Sequence, residues 1–518
     1  MAVLTANRVK FRQSDFSAGQ NSSDEPASIG KNQAVLLQNC IITKNGKCTE
    51  RLGITKCGTA NSTTNIILGL THFSAGTTLD TMLRARATKI QRLNAGFTDW
   101  TDISGLTSLS SGKTTNFVQA LDKCFILNGT NNVFSVDSTL TVTDEGNTNT
   151  DFPRTTFAEW TPNNRMFASG SLTQTERDYV WFSNSIDPQT WDRIINLFKV
   201  RSGDNGKVTW LKSFKEFELI IYKNDSIFVL NMDGATPLTD WDLKPLSVAV
   251  GCPAGRTVCD TGNDHVFLGN DGVRLLSRTQ FDKLRVGIIS DPVRDIIDSI
   301  NQDAIGTANA SFENGLYILN IPTGTATMPD RTLIWDSIAA ARNGNPNSAW
   351  TTVPKATWNF SCMSSFGFGD NLKTVVAGSG TATSLCYKVL NGTSDDSTAI
   401  TQRIITRQND YDEAFSKKIF DPSQFIAEGG SDAIYLVEMQ VDEGGWVTVG
   451  QIDLTGNLQT PFTTPAVTVA FANATKNFRT KFAGRGNYVQ YRITNSTLDT
   501  TPTFIEYTTY ARPYEGRI

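Results

Sequence analysis

Few residues in this chain have the chemistry to act on a substrate. Two histidines, His72 and His265, and eight cysteines, Cys40, Cys48, Cys57, Cys124, Cys252, Cys259, Cys362 and Cys386, are all the imidazole and thiol available in 518 residues. Three of the cysteines fall in NCIITKNGKCTERLGITKCG, Asn39 to Gly58, spaced eight and nine residues apart. Zinc knuckles need paired CxxC or Cys with His at short range, and this stretch has neither. The three read as buried strand thiols packing like small hydrophobes, with a disulfide as the alternative. Thiols are too sparse along the chain for a disulfide scaffold, and the expectation is that they are reduced.

No GxSxG lies beside either histidine, so a Ser-His-Asp or Cys-His arrangement has no recognisable nucleophile. His265, between Asp264 and Val266 at the head of an apolar run, reads as a structural hydrogen-bonder. SFGFGDN, Ser365 to Asn371, has the glycines of a phosphate loop but no GK[ST] and no following helix, and reads as a turn. SNSIDPQTW, Ser183 to Trp191, resembles in outline the Asp-box turn of sialidase-like propellers. However, Asp187 is followed by Pro188 and Gln189 where the box has glycine, and no second copy is present. Glycosidic cleavage would need two convergent carboxylates, or a tyrosine nucleophile with arginines. Trp100, Trp160, Trp181, Trp191 and Trp241 could stack on sugars but read more simply as core filler. No catalytic, cofactor or metal residue is assigned, and the expectation is a protein that is not an enzyme and holds no cofactor.

These residues must be positioned by strands. Hydrophobic residues are 39% and charged residues 19% of the chain, and Thr, Asn, Ser and Gly are plentiful, which suits strands and turns. A net charge of −4 gives no general attraction to nucleic acid or anionic membrane. The longest apolar runs, such as NIILGL at Asn65 to Leu70, are strand-sized and cannot span a bilayer as a helix. The opening MAVLTANRVK lacks an apolar signal core, so the chain is expected to stay in the cytoplasm of the cell that makes it.

One unit recurs: an apolar or alternating run, a polar Asn/Gly/Asp turn, and a second short apolar run. It begins at Leu68, Leu121, Asn163, Lys215, Gly262, Phe312 and Gly369, about 50 residues apart, the spacing of β-propeller blades. Each copy reads as a hairpin with turns that tolerate positive φ, such as KND and GNDG. Stretches such as KVTWLKSF (Lys207 to Phe214) and TTNFVQAL (Thr114 to Leu121) would supply further strands and close a ring. About seven blades are expected, and six to eight fit the same pattern; a pair of ordinary β-sandwiches is the alternative. One helix is expected, over Ser290 to Ala304, with Pro292 in its first turn and Val293, Ile296, Ile297 and Ile300 on one face packing on a blade edge.

After Asn391 a polar linker, Gly392 to Ala399, leads to alternating strands at Ala433–Asp442, Gly445–Leu454, Ala466–Ala472 and Asn487–Asn495, as in a β-sandwich. The chain therefore reads as all-β. Residues 1–60 form an extended N-terminal segment with strands joining platform or propeller, 61–391 a β-propeller, and 392–518 a separate β-sandwich platform.

With its upstream flank, the cysteine stretch resembles the N-terminal signature of bacteriophage (podovirus-type) tail nozzle or hub proteins of the packaged-DNA-stabilisation type. The matching pieces are Phe16 to Gly19 with Asn21, the acidic Asp24 and Glu25, then Leu37 and Asn39, Gly46, and finally Arg51 and Gly53. Ala18 and Gly19 stand where the family has two glycines. WFSNSIDPQTWD is similar to the family's blade turn, and the ending from Gly486 to Arg517 is similar to its closing β-unit.

The resemblance implies a propeller with an added β-platform and a mechanical role. It further implies a sixfold homo-oligomeric ring in the virion tail, below the portal and adaptor. Such a ring would be a conduit for DNA ejection and a docking platform, with tail fibres or a tail tip as further neighbours. Double-stranded DNA would pass without sequence-specific binding, since a chain with few basic clusters neutralises few phosphates. Closing the ring needs a different face of each subunit on each neighbour. The alternative reading is a carbohydrate-binding or carbohydrate-cleaving propeller used in host adsorption; a third is an intracellular protein-docking propeller.

Overall fold

The computed structural model describes residues 8–59, 65–76, 79–106, 108–204, 206–233, 237–279, 283–368, 373–429, 432–454, 476–480 and 484–514. The AVTVAFA stretch and the tip of SFGFGDN lie outside them.

The chain forms a seven-bladed β-propeller joined to a β-sandwich. Blades 1 to 5 span 67–102, 116–144, 157–199, 208–247 and 259–288, blade 6 spans 309–353, and blade 7 combines 360–389 with the N-terminal strand Ile54–Lys56. Six of the seven are separate sheets, and blade 6 is continuous with a sheet of the platform.

Ring closure is visible in the packing. Seven apolar clusters each join two consecutive blades, from Phe73, Leu83 and Cys124, Ile126 between blades 1 and 2 round to Cys362, Val376 and Ile67, Met82 between blades 7 and 1. Second strands supply most of this surface. In Glu218–Lys223 of blade 4, Leu219 and Ile221 face blade 3 while Ile220 and Tyr222 face blade 5. A strand buried on both faces reads as a continuous apolar run, which is why LIIY, VFLG and CFIL mark the blades in the sequence. The seven hairpins legible there contain the second and third strands of the seven blades, with KVTWLKSF and TTNFVQAL as first strands beside the axis.

Closure is completed from outside the repeat. Ile54, Thr55 and Lys56 pair antiparallel with Val389, Lys388 and Tyr387, so the segment before blade 1 supplies the fourth strand of blade 7.

The platform packs two sheets around Phe16, Leu37, Ile404, Phe425, Tyr435, Tyr491, Phe504 and Tyr507. It is not a separate C-terminal unit. Val9–Gln13 pairs with Thr503–Pro513, and Gln33–Gln38 pairs with Gln402–Thr406, so both ends of the chain build it. Gly19 then pairs in parallel with Gln33 on one side and Trp350 of blade 6 on the other, fusing platform and blade into one ten-stranded sheet. Backbone pairing of this kind leaves no apolar or charge signature in composition.

The expected helix over Ser290 to Ala304 is broken into a 3₁₀ turn at Asp291–Val293, one α-turn at Arg294–Ile297 and a 3₁₀ segment at Gln302–Thr307. Val293, Ile296, Ile297 and Ile300 are nevertheless buried between blades 5 and 6, so burial governs the segment more than helical continuity. The eight cysteines are free thiols, seven of them buried. Cys40 and Cys48 lie in the platform core and Cys57 lies between blades 7 and 1.

Candidate functional site

The residues that sequence reading singles out for chemistry are structural in their surroundings and lie apart. His265 is buried between blades 4 and 5. Its Nε2–H donates to the Ser213 carbonyl at 3.1 Å, and its Nδ1 accepts from the Tyr222 hydroxyl at 2.9 Å. Burial pulls this imidazole down to about 4, so the ring is neutral and held in one tautomer. His72, in blade 1, is partly exposed; it pairs with Asp80 and sits edge-on to Phe366. No group of three or more His, Cys, Asp or Glu placed to hold a metal occurs among the described residues.

Asp187 closes a tight turn, accepting from the backbone N–H of Gln189 at 2.9 Å and of Thr190 at 3.2 Å. Burial pushes its carboxyl up, but the hydrogen bonds outweigh that and hold it below the usual range. The turn plants Trp191 between blades 2 and 3, where its ring lies 4.9 Å from Phe152 and its Nε1–H donates to the Pro188 carbonyl. Trp100 and Trp181 are likewise buried between blades, while Trp160 and Trp241 are partly buried against them.

The pieces of the N-terminal signature, in contrast, come together where platform and propeller join. Phe16 is fully buried in the platform core, and its N–H donates to the Gly46 carbonyl at 2.7 Å. Gly19, at φ +78°, lies so close to Trp350 that an added Cβ would fall 2.5 Å from the Trp350 nitrogen. Asn21 bridges Asp24 and Gln33. Asn39, itself at φ +56°, receives the Arg51 Nε–H on its Oδ1 at 2.8 Å and donates to the Thr401 carbonyl at 2.8 Å. Arg51 is wholly buried, forks onto Asp395, and lies 4.2 Å over the Trp358 ring. Gly53 packs on the chain leaving the propeller, where a Cβ would meet the Ser394 carbonyl oxygen at 1.9 Å. The segment 392–399, which reads as a polar linker, thus supplies one half of a clamp whose other half, Arg51, is buried.

A second feature had no signal in the sequence. First strands of the blades leave cavities of about 530, 320 and 200 Å³ along the axis, and Arg256 lines all three. Its Nη1 donates to the Ser361 carbonyl of blade 7 at 3.0 Å and its Nη2 to the Thr307 carbonyl before blade 6 at 3.1 Å. A bore that one arginine side chain spans cannot admit a duplex whose major groove alone is about 12 Å wide.

No protein-family model matches the chain, and neither does any curated protein sequence. Among solved structures, similar ones include PorZ, an essential bacterial surface component of the type-IX secretion system of Porphyromonas gingivalis. It is 13% identical, with a TM-score of 0.38, over 65% of this chain and 38% of that one. YCF48 bound to D1 peptide is 9% identical over 65% of this chain and 94% of that one, TM-score 0.38. The Neurospora crassa Pan2 WD40 domain is 7% identical over 67% and 96%, TM-score 0.38.

Proposed function

We propose that this chain is the repeating unit of a bacteriophage tail nozzle or hub, a non-enzymatic part that assembles as a ring beneath the portal and adaptor. Its role is to conduct DNA during ejection and to dock other tail components. The observation that carries this reading is where the signature residues fall: Gly19, Asn39, Arg51 and Gly53 are spent on locking a platform to a propeller, and Phe16 on the platform core beside that join. Short motifs that share one mechanical task are better grounds for a resemblance than scattered identities. The blocked propeller axis supports the same reading in one respect. Any passage for duplex DNA has to lie between copies, as it does in a ring.

Electron microscopy and mass measurement of the purified chain test the proposal, together with detection of the chain in virions. Closed rings with a channel wide enough for a duplex, and presence in the particle, are expected. A chain that stays monomeric at high concentration and is absent from particles overturns it.

A further inference from the structure

The axial cavities are unusual in charge. In a chain of net charge −4, the described residues lining the three cavities include Arg256 in all of them, Arg177 and Lys207 in the 530 Å³ one, and not one Asp or Glu in any. The 530 Å³ cavity falls well within the roughly 300–1,000 Å³ range of small-molecule sites, and the 320 Å³ cavity lies at its lower end.

Arg256 is placed there by the backbone. It belongs to a single 3₁₀ turn, Gly255–Thr257, on the connection from blade 4 to blade 5. Gly255 lets that turn press on blade 4, since a Cβ would sit 2.2 Å from the Thr209 carbonyl oxygen. The guanidinium then points across the axis. Two of its five N–H groups are used, both on backbone carbonyls, and no described carboxylate neutralises it. Burial lowers its pKa, as it does for a cation short of compensating charge. Neutral carbonyls satisfy hydrogen bonds but not charge, so a cation held this way favours an incoming anion. Lys207 is exposed at the rim of the largest cavity, and the half-buried Trp210 lies on the walls of two of the three.

We propose that the axial cavity binds a small organic anion, a carboxylate or phosphate carried on a ring or short carbon frame. Arg256 donates to the oxyanion, Lys207 adds charge at the entrance, and Trp210 packs against the carbon frame. Ring assembly and ligand binding are independent properties, so either can fail alone.

The test is calorimetric titration of the purified full chain with glucuronate, glucose 6-phosphate, inorganic phosphate and neutral glucose. Saturable one-to-one binding of glucuronate or glucose 6-phosphate is expected, with glucose at least about tenfold weaker. Comparing the two anions separates carboxylate from phosphate, and inorganic phosphate reports how much the carbon frame adds. Arg256→Gln should weaken binding about tenfold or more, as loss of a charged donor requires. Because that variant also unties the Ser361 carbonyl of blade 7 and the Thr307 carbonyl before blade 6, Lys207→Gln is the second arm, with a several-fold loss expected at unchanged melting temperature. The proposal is overturned if neither organic anion binds saturably, if glucose binds equally well, or if Lys207→Gln and a folded Arg256→Gln both bind like the parent.

Discussion

Arg51 and Asp395 meet as a two-toothed ion pair, Nη1 to Oδ1 at 2.8 Å and Nη2 to Oδ2 at 2.5 Å. Arg51 lies on the segment that enters the propeller and Asp395 on the segment that leaves it. Arg51 is out of water and Asp395 nearly so, with Trp358 covering one face of the guanidinium and Asn39 holding its Nε–H. Removing one partner of such a pair strands the other charge, so Arg51→Met should cost about 3–5 kcal/mol. Arg51→Lys keeps the charge but loses the fork, and should recover only part of the loss. Urea unfolding followed by tryptophan fluorescence and by circular dichroism measures both. The clamp also couples the two parts, so the Met variant should separate one transition into two.

The blades were legible because their second strands are buried on both faces, and an unbroken apolar run such as Leu219 to Tyr222 requires a neighbour on each side. What held the blades in a ring was not. Ile54–Lys56 is three residues long and pairs through its backbone, so no side-chain pattern announces it. Arg51, Arg84 and Arg256 are ordinary in sequence, yet two are wholly buried and the third crosses the axis. Charge burial depends on partners hundreds of residues away, Asp395 for Arg51 and the Ser384 carbonyl for Arg84, and local reading does not reach that far.

Close approach at Gly53 gives a second prediction. Its backbone does not need positive φ; what it needs is absence of a Cβ against Ser394. Gly53→Ala should therefore destabilise by about 1–3 kcal/mol through overpacking. Gly287, inside a blade 5 strand with nothing within 4 Å of a built Cβ, is the matched control. Gly287→Ala should be neutral or stabilise by up to about 1 kcal/mol. Equal losses at both positions would show that chain stiffness, not contact, governs the first.

Thiol reactivity gives a third. Burial pushes Cys57, Cys252, Cys259 and Cys362 up to about 12, and Cys124 is raised for the same reason. The thiolate is the reactive form, so the native chain at pH 8 should react with Ellman's reagent only slowly. Unfolding without reductant should then release all eight thiols. A lower count on unfolding would reveal a disulfide, and rapid reaction of the native chain would show a blade interface that opens.

Stability should depend on pH through two buried groups that pull in opposite directions. Burial pushes the Glu50 carboxyl up to about 8 from 4.5, against the hydrogen bond from Asn495. The folded chain thus holds this proton more tightly than the unfolded chain does. Its contribution is complete below about pH 4.5 and is lost as pH rises toward 8. His265 behaves the other way: burial lowers it from 6.5 to about 4, so its contribution is complete above 6.5 and is lost as pH falls toward 4. Together they place the stability contributed by these two groups highest on the mildly acidic side of neutral. Glu50→Gln keeps an acceptor for Asn495 without the ionisation, and should gain on the order of 3 kcal/mol over the parent at pH 8 while changing little at pH 5. His265→Gln should flatten the acid limb and leave the alkaline limb alone. Urea midpoints from pH 4 to 9 for the three proteins decide it: a parent whose stability is level from pH 5 to 8, with no gain from Glu50→Gln, would mean that Glu50 is charged in the folded platform.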